Sequence, residues 1–236
     1  MPHAHLDADG NPATERWLKA TWPFVRGELP NQPANVLEIG CGPYGGFIPR
    51  LLREGHRAEG IDPEAPEGRA YHRTEYERYE QRDQVDVVVA SASLHHVVDI
   101  GQALDRVKAT LKPHGRVIVV EWALERFDEP TAKWCFDRLP IHESDDEAGW
   151  LHRHRDQWKA SGQPWVVYFQ NWKQAERLHS SQEVLRELDT RFERLAYREV
   201  PYFFPDLAET TRVDEQAAID TLQIQAACIQ YSAQNR

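Results

Sequence analysis

The chain has 236 residues with a formal net charge of −10, from 38 Asp plus Glu against 28 Lys plus Arg, so it offers no broad attraction to a polyanion and nucleic acid is disfavoured as a partner. The length suits one α/β domain over 1–236 with additions and no linker between independent cores; no apolar run approaches the roughly 20 residues that span a bilayer. Cys41, Cys135 and Cys228 form no C-x-x-C and the N-terminal Met-Pro-His-Ala-His-Leu-Asp has no basic segment followed by an apolar one, which together point to a cytoplasmic, membrane-free protein; a monomer or homodimer is expected.

In chain order, Leu18, Trp22, Val25 and Leu29 mark an accessory helix within 1–30, which Pro23 weakens. The apolar Val36-Leu37 then runs into Glu38-Ile39-Gly40-Cys41-Gly42-Pro43-Tyr44-Gly45-Gly46. Glycines at 40 and 42 let a ligand approach the backbone at a strand end, and the following helix points free N–H groups at the same spot. Gly40, Gly42 and Gly45 also satisfy the G-x-G-x-x-G of a dinucleotide loop, which is a weak signal alone. Glu38 separates the two readings: a carboxylate on a buried strand is costly unless something cationic meets it, and a dinucleotide fold ordinarily has an apolar residue there. A plain glycine turn without a ligand is the third reading.

Phe47, Ile48, Leu51 and Leu52 give a helical stripe that Gly55 ends, and a strand over 57–61 delivers Asp62, about 20 residues after the glycines, where an acid can accept both hydroxyls of a ribose. A turn aspartate before Pro63 is the bland alternative. Two prolines and a glycine in 63–68 replace the helix usual before a third strand, which is expected over 70–79. Val85-Asp86-Val87-Val88-Val89-Ala90 reads as a strand buried on both faces. Ser91 and Leu94-His95-His96 follow it. Ile100, Ala103, Leu104, Val107 and Leu111 make an amphipathic helix, stopped by Lys112-Pro113-His114-Gly115, and 117–120 is the next buried strand, ending in Glu121.

Across 35–122 this order of motifs resembles class I S-adenosylmethionine-dependent methyltransferases. The Asp-Pro-Glu-Ala-Pro-Glu-Gly segment and the L-H-H strand end are similar to a group of bacterial methyltransferase-like proteins. The resemblance implies a Rossmann-like α/β fold: a seven-stranded sheet, mostly parallel with an antiparallel last strand, and helices on both faces. It implies S-adenosyl-L-methionine as cofactor, with Glu38 meeting the methionine ammonium and Asp62 the ribose. Gly40, Cys41, Gly42, Tyr44, Gly46 and Ser91 would line the same site, and Glu75 and Tyr76 would emerge near the adenine. The cofactor-binding half is thereby assigned to 31–122.

Residues 123–179 stand where such a domain has only a short connection between strands 5 and 6. Asp128-Glu129-Pro130 reads as a helix start. Trp150, Trp158, Trp165 and Trp172 sit near a spacing of seven, but Ser161-Gly162-Gln163-Pro164 breaks any continuous helix. The segment is thus a helical cap whose aromatics pack inward, or a lid whose aromatics face an acceptor. The basic run His152-Arg153-His154-Arg155 lies near Asp145, Asp146, Glu147 and Asp156 and reads as a solvated face. In 180–236 the sheet resumes: Ser180 and Glu183 as a capping box, a helix with Val184, Leu185 and Leu188 inward, a strand over 192–200, a helix over 211–222 and a last strand over 226–233, with Cys228, Gln230 and Ser232 opposite Ile229 and Tyr231.

Methyl transfer from a sulfonium needs alignment more than a protein nucleophile, and a base only when the acceptor is weakly acidic. His95, His96 and Glu121, at the carboxyl ends of strands 4 and 5, are the candidates, with His154 and His179 able to approach from the insertion. Adjacent histidines on a strand do not face one point, so no metal is expected. The reading is a methyltransferase acting on a small-molecule acceptor at O or N more than C. The alternatives are a cofactor-binding enzyme of non-methylating chemistry and a non-catalytic protein on the same fold; a nicotinamide oxidoreductase is an outsider.

Overall fold

A computed structural model describes residues 12–81, 83–141 and 149–236; the extreme N-terminus and Asp145, Asp146 and Glu147 lie outside the described residues. The helices are α1 (Pro12–Glu28), α2 (Ile48–Arg53), α3 (Ile100–Thr110), α4 (Glu129–Phe136), α5 (Trp150–Ser161), α6 (Trp165–Ala175), α7 (Ser181–Arg191) and α8 (Arg212–Asp220). The strands are β1 (Asn35–Ile39), β2 (Arg57–Asp62), β3 (Tyr71–Arg73), β4 (Val85–Ser91), β5 (Leu111–Trp122), β6 (Phe192–Val200) and β7 (Cys228–Asn235). None of the described helices is long and apolar enough to cross a membrane. The described residues form two compact units, 21–81, 83–122, 179–198 and 229–236 in one and 12–20, 123–141, 149–178 and 199–228 in the other.

The sheet has the order β3-β2-β1-β4-β5-β7-β6. Its strands are parallel from β3 to β5, with Leu37 beside Glu59 on one side and Val88 on the other, and antiparallel at the far end. The central strands carry the near-continuous apolar runs that burial on both faces requires: Val87, Val88, Val89 and Ala90 have no exposed surface. α3 starts where the Asp99 side chain accepts a hydrogen bond from the Gln102 amide at 2.9 Å, and its buried stripe is Ile100, Ala103, Leu104 and Val107. The capping box of Ser180 and Glu183 starts α7 as the sequence predicts.

Three elements differ from the sequence expectation. The third strand is only Tyr71–Arg73, because the Thr74 amide turns back onto the His72 carbonyl at 3.1 Å and a 3-10 turn follows at Tyr76–Arg78. Burial of the Tyr76 ring in the core takes the chain off the sheet edge. β5 begins at Leu111, straight out of α3 and well before 117, with an irregular register between Val85 and Val87. β7 is buried on both faces, and two of its polar groups are paired inside: the Ser232 hydroxyl donates to Glu28 at 2.7 Å and the Asn235 side-chain nitrogen to the Leu111 carbonyl at 3.3 Å.

The second unit has an aromatic core. Trp165 stacks on Phe169 with centroids 5.1 Å apart and meets Phe127 edge-on at 5.1 Å; its indole N–H donates to the Phe127 carbonyl at 2.7 Å. Trp150 packs on Phe127 and Phe203. Both tryptophans are buried, so they serve packing, as aromatic rings joined by offset and edge contacts do. Gly162, left-handed at φ 62°, caps α5 and ends it before α6 begins, which is the break the sequence predicts. Asp128 caps α4 by accepting from the Thr131 amide at 3.0 Å. The basic run is not one solvated face: His152 and His154 are buried, His152 against the Pro140 carbonyl at 2.9 Å and His154 against the Tyr168 hydroxyl at 2.9 Å, and Arg155 pairs with Asp156. At about 3.6 residues per turn His152 and His154 lie about 200° apart, so each is covered by a different neighbour.

Candidate functional site

Every glycine and acid of the loop sits at the carboxyl edge of β1, where open α/β sheets bind ligands. Glu38, the fourth residue of β1, is fully buried. One of its oxygens, Oε2, accepts from the Phe47 amide at 2.8 Å, while Oε1 has no hydrogen-bond partner among the described residues. Desolvation pushes its carboxyl well above the usual range, with Asp62 adding to the shift and the Phe47 amide and Arg50 opposing it. Gly46 runs at φ 53°, and a Cβ there would overlap Glu38 Oε1, so only glycine lets the chain pass over the acid. Gly42, at φ 63°, faces open space instead.

Asp62 ends β2 and braces two loops at once. Its Oδ2 accepts from the Gly42 amide at 3.0 Å and its Oδ1 from the Glu64 amide at 2.8 Å. This makes it more than a turn residue, since it fixes the glycine loop against the next strand. Asp62→Ala is expected to weaken cofactor binding by about 1–3 kcal/mol, the range for an acceptor removed from several donors; calorimetry with S-adenosylhomocysteine measures it, and an unchanged affinity in a folded variant refutes the assignment. Burial also raises the Cys41 thiol, with Glu38 and Asp62 adding to it, which makes it an inert packing group. Tyr44 is half-buried on the loop and Ser91 is buried at the end of β4. Ser93, which the sequence reading passed over, donates from Oγ to the Ile39 carbonyl at 3.0 Å and ties the β4 end to β1. Tyr71, likewise passed over, lays its hydroxyl against Gly45. The signal for it is Gly60, the residue it faces across β2 and β3.

Glu75 and Tyr76 do not join this group. Tyr76 is buried in the core beneath the Arg106 guanidinium, 5.5 Å from its ring centre, and Glu75 pairs with Arg78 on the surface at 3.0 Å. The 3-10 turn that replaces the end of the expected strand is what turns the ring inward.

A second constellation forms where β4 and β5 end side by side, with Ser91 beside Val120. A 3-10 turn, Leu94–His96, carries His95, which is buried. His95 Nδ1 lies 2.5 Å from Glu121 Oε1. Glu121, also buried, accepts from the Leu94 amide at 2.8 Å and the Trp122 amide at 2.7 Å. A carboxylate only accepts, so Nδ1 is the donor of this pair, and when the ring is neutral its lone pair is on Nε2. Nε2 has no hydrogen bond among the described residues. His96 is exposed, its ring 4.0 Å from that of His95. The His179 amide donates to the His95 carbonyl at 3.0 Å and its Nε2 to the Val97 carbonyl at 3.0 Å, which ties this residue to the backbone of the turn. His154 is enclosed by Trp150, Tyr168, Phe169 and Trp172. Among the described residues no group of three or more His, Cys, Asp or Glu could hold a metal ion.

The sequence matches the family described as a methyltransferase domain over residues 13–194. Among curated proteins it is 31% identical to a ubiquinone biosynthesis O-methyltransferase of Rhodopseudomonas palustris (strain HaA2) over 136 residues, 52% of this chain and 50% of that protein. The chain thus spans about half the length of the curated relatives it matches. Among solved structures it resembles an S-adenosylmethionine-dependent methyltransferase from Mesorhizobium loti at a TM-score of 0.55 and 17% identity, over 92% of this chain and 100% of that one. It also resembles the N-methyltransferase NodS from Bradyrhizobium japonicum WM9, solved with S-adenosyl-l-homocysteine, at a TM-score of 0.53 and 15% identity over 96% and 89% of the two chains.

Proposed function

The chain belongs to the methyltransferase-domain family of class I S-adenosylmethionine-dependent enzymes, and from that membership we propose that it transfers the cofactor's methyl group to a hydroxyl oxygen of a small-molecule acceptor. The residues present fit the cofactor. Glu38 Oε1 is a buried oxygen without a donor, and an ammonium is the group that would satisfy it. Gly42 leaves open space on the loop, and Asp62 stands at the end of β2 to accept from a ribose. The bound cofactor supplies an electrophilic methyl on a sulfonium.

The observation that carries the choice of oxygen is the His95 and Glu121 pair. A hydroxyl is a poor nucleophile until its proton leaves, and an imidazole whose other nitrogen is held by a carboxylate takes that proton. Here Glu121 fixes the tautomer and stabilises the imidazolium that forms, while His95 Nε2 is the accepting atom. The O-methyltransferase relative of Rhodopseudomonas palustris supports the same acceptor atom.

Incubating the protein with S-adenosylmethionine labelled at its methyl group, against catechols on one side and aromatic amines on the other, tests the reading. Label in the hydroxyl acceptors is expected. Label confined to the amines overturns oxygen as the target, and absence of S-adenosylhomocysteine binding overturns the cofactor assignment in this chain.

A further inference from the structure

Glu121 accounts for one side of the turn that presents His95: it accepts from the Leu94 amide, from the His95 amide at 3.4 Å and from His95 Nδ1. The carbonyl side of the same turn is held from elsewhere. His179 directly precedes Ser180, whose capping box starts α7, and α7 packs on this turn. From there the His179 amide donates to the His95 carbonyl and the ring to the Val97 carbonyl, both at 3.0 Å. Two donors from one residue thus bracket His95 across a gap of more than eighty positions in sequence. With its amide, carbonyl and Nδ1 all engaged, His95 has one free polar atom, Nε2.

We infer that His179 is a positioning residue: through the Val97 and His95 carbonyls it fixes the turn so that the His95 imidazole stays on Glu121. A ring at hydrogen-bond distance from its carboxylate is productive only within a few tenths of an ångström and about 10–20°, and a two-sided clamp on the backbone delivers that where side-chain packing alone leaves torsional play. The functional consequence rests on the oxygen-methylation reading above. The positional claim does not, which keeps the two separable.

Proton NMR of the histidine rings in the full chain tests the clamp without any acceptor. The His95 Nδ1 proton, held at a short distance by Glu121, is expected to resonate far downfield and exchange slowly in the wild type. In His179→Ala, which keeps the backbone donor but loses the ring, that resonance is expected to broaden or vanish, while His179→Gln, whose side-chain amide can donate to Val97, restores it. Calorimetry with S-adenosylhomocysteine is expected to give unchanged affinity in both variants, since Glu38 and Asp62 lie on β1 and β2. Where His179→Ala fails to melt cooperatively, His179→Met keeps the bulk without the donor and is read in its place. A sharp, protected downfield proton in the folded variant that lacks the donor overturns the clamp. A lost proton together with full hydroxyl methylation leaves the clamp standing and overturns the role of His95 as base.

Discussion

His95→Gln is expected to lower turnover of a hydroxyl acceptor by about 10²- to 10⁴-fold, the usual contribution of a positioned general base, with the affinity for S-adenosylhomocysteine unchanged. The amide cannot take up a proton, yet it fills the same volume and can still donate to Glu121, so the fold survives the change. Glu121→Gln should fall in the same range for a different reason. Its side-chain NH2 favours a ring that carries its proton on Nε2, and a base already protonated on the reacting side does nothing. Rates measured on an acceptor of low hydroxyl pKa separate base loss from distortion: a phenol already ionised at the assay pH should be methylated by both variants at close to the wild-type rate. A variant as slow on that acceptor as on a neutral one would mean that the pair aligns the acceptor and removes no proton.

Glu38→Gln should bind S-adenosylhomocysteine about 10- to 100-fold more weakly, because a charge-assisted hydrogen bond to the ammonium is worth about 1.5–3 kcal/mol, and yet it should melt at a higher temperature without cofactor. Burial raises the Glu38 carboxyl in the folded chain above its unfolded value. The sign follows from proton counting: between those two values the folded state binds more protons than the unfolded one, so stability is fully present below the ordinary carboxylate range and is lost as pH rises through the raised folded value. Gln keeps the acceptor for the Phe47 amide and never ionises. The variant's melting temperature should therefore stay flat over that window where the wild type declines, and saturating cofactor should close the gap by restoring the wild type. Calorimetry across mildly acidic to neutral pH measures this, and parallel profiles for the two proteins would show that the ionised form of Glu38 is not penalised.

The glycine-rich turn and the two acids beside it were legible because their parts are local. A strand end, a turn that needs left-handed backbone and an acid on a buried strand are each written within a few residues, and Asp62 follows at the distance one helix and one strand impose. The third strand was misjudged because the residues of 70–79 carry no strong alternation, and burial of Tyr76 beneath Arg106 is a tertiary event that no local pattern records. That one ring also moved the expected adenine contact from the site to the core. His95 and Glu121 were both named as lying at strand ends, but their pairing depends on the register of β4 against β5. The buried histidines of the insertion looked solvated because their neighbours are charged; the groups that cover them, the Pro140 carbonyl over His152 and the Tyr168 hydroxyl over His154, come from elsewhere in the chain. That His179 ties its Nε2 to the Val97 carbonyl could not be read from the sequence, because the two residues are more than eighty positions apart.

The contact between Gly46 and Glu38 bears on how such a loop can change over time. The side chain of the acid reaches the loop backbone, and the space a Cβ would take at 46 is already filled by Oε1. The length of the acid and the bareness of the glycine are therefore one variable written at two positions. An aspartate at 38, shorter by a methylene, would withdraw from that space, leaving only the cost of left-handed backbone, about 1–2 kcal/mol, to oppose a side chain at 46. Chains built on this loop should therefore drift in pairs, with a larger residue at the last glycine tolerated after the acid has shortened and not before, so the two positions carry a memory of the order in which they changed.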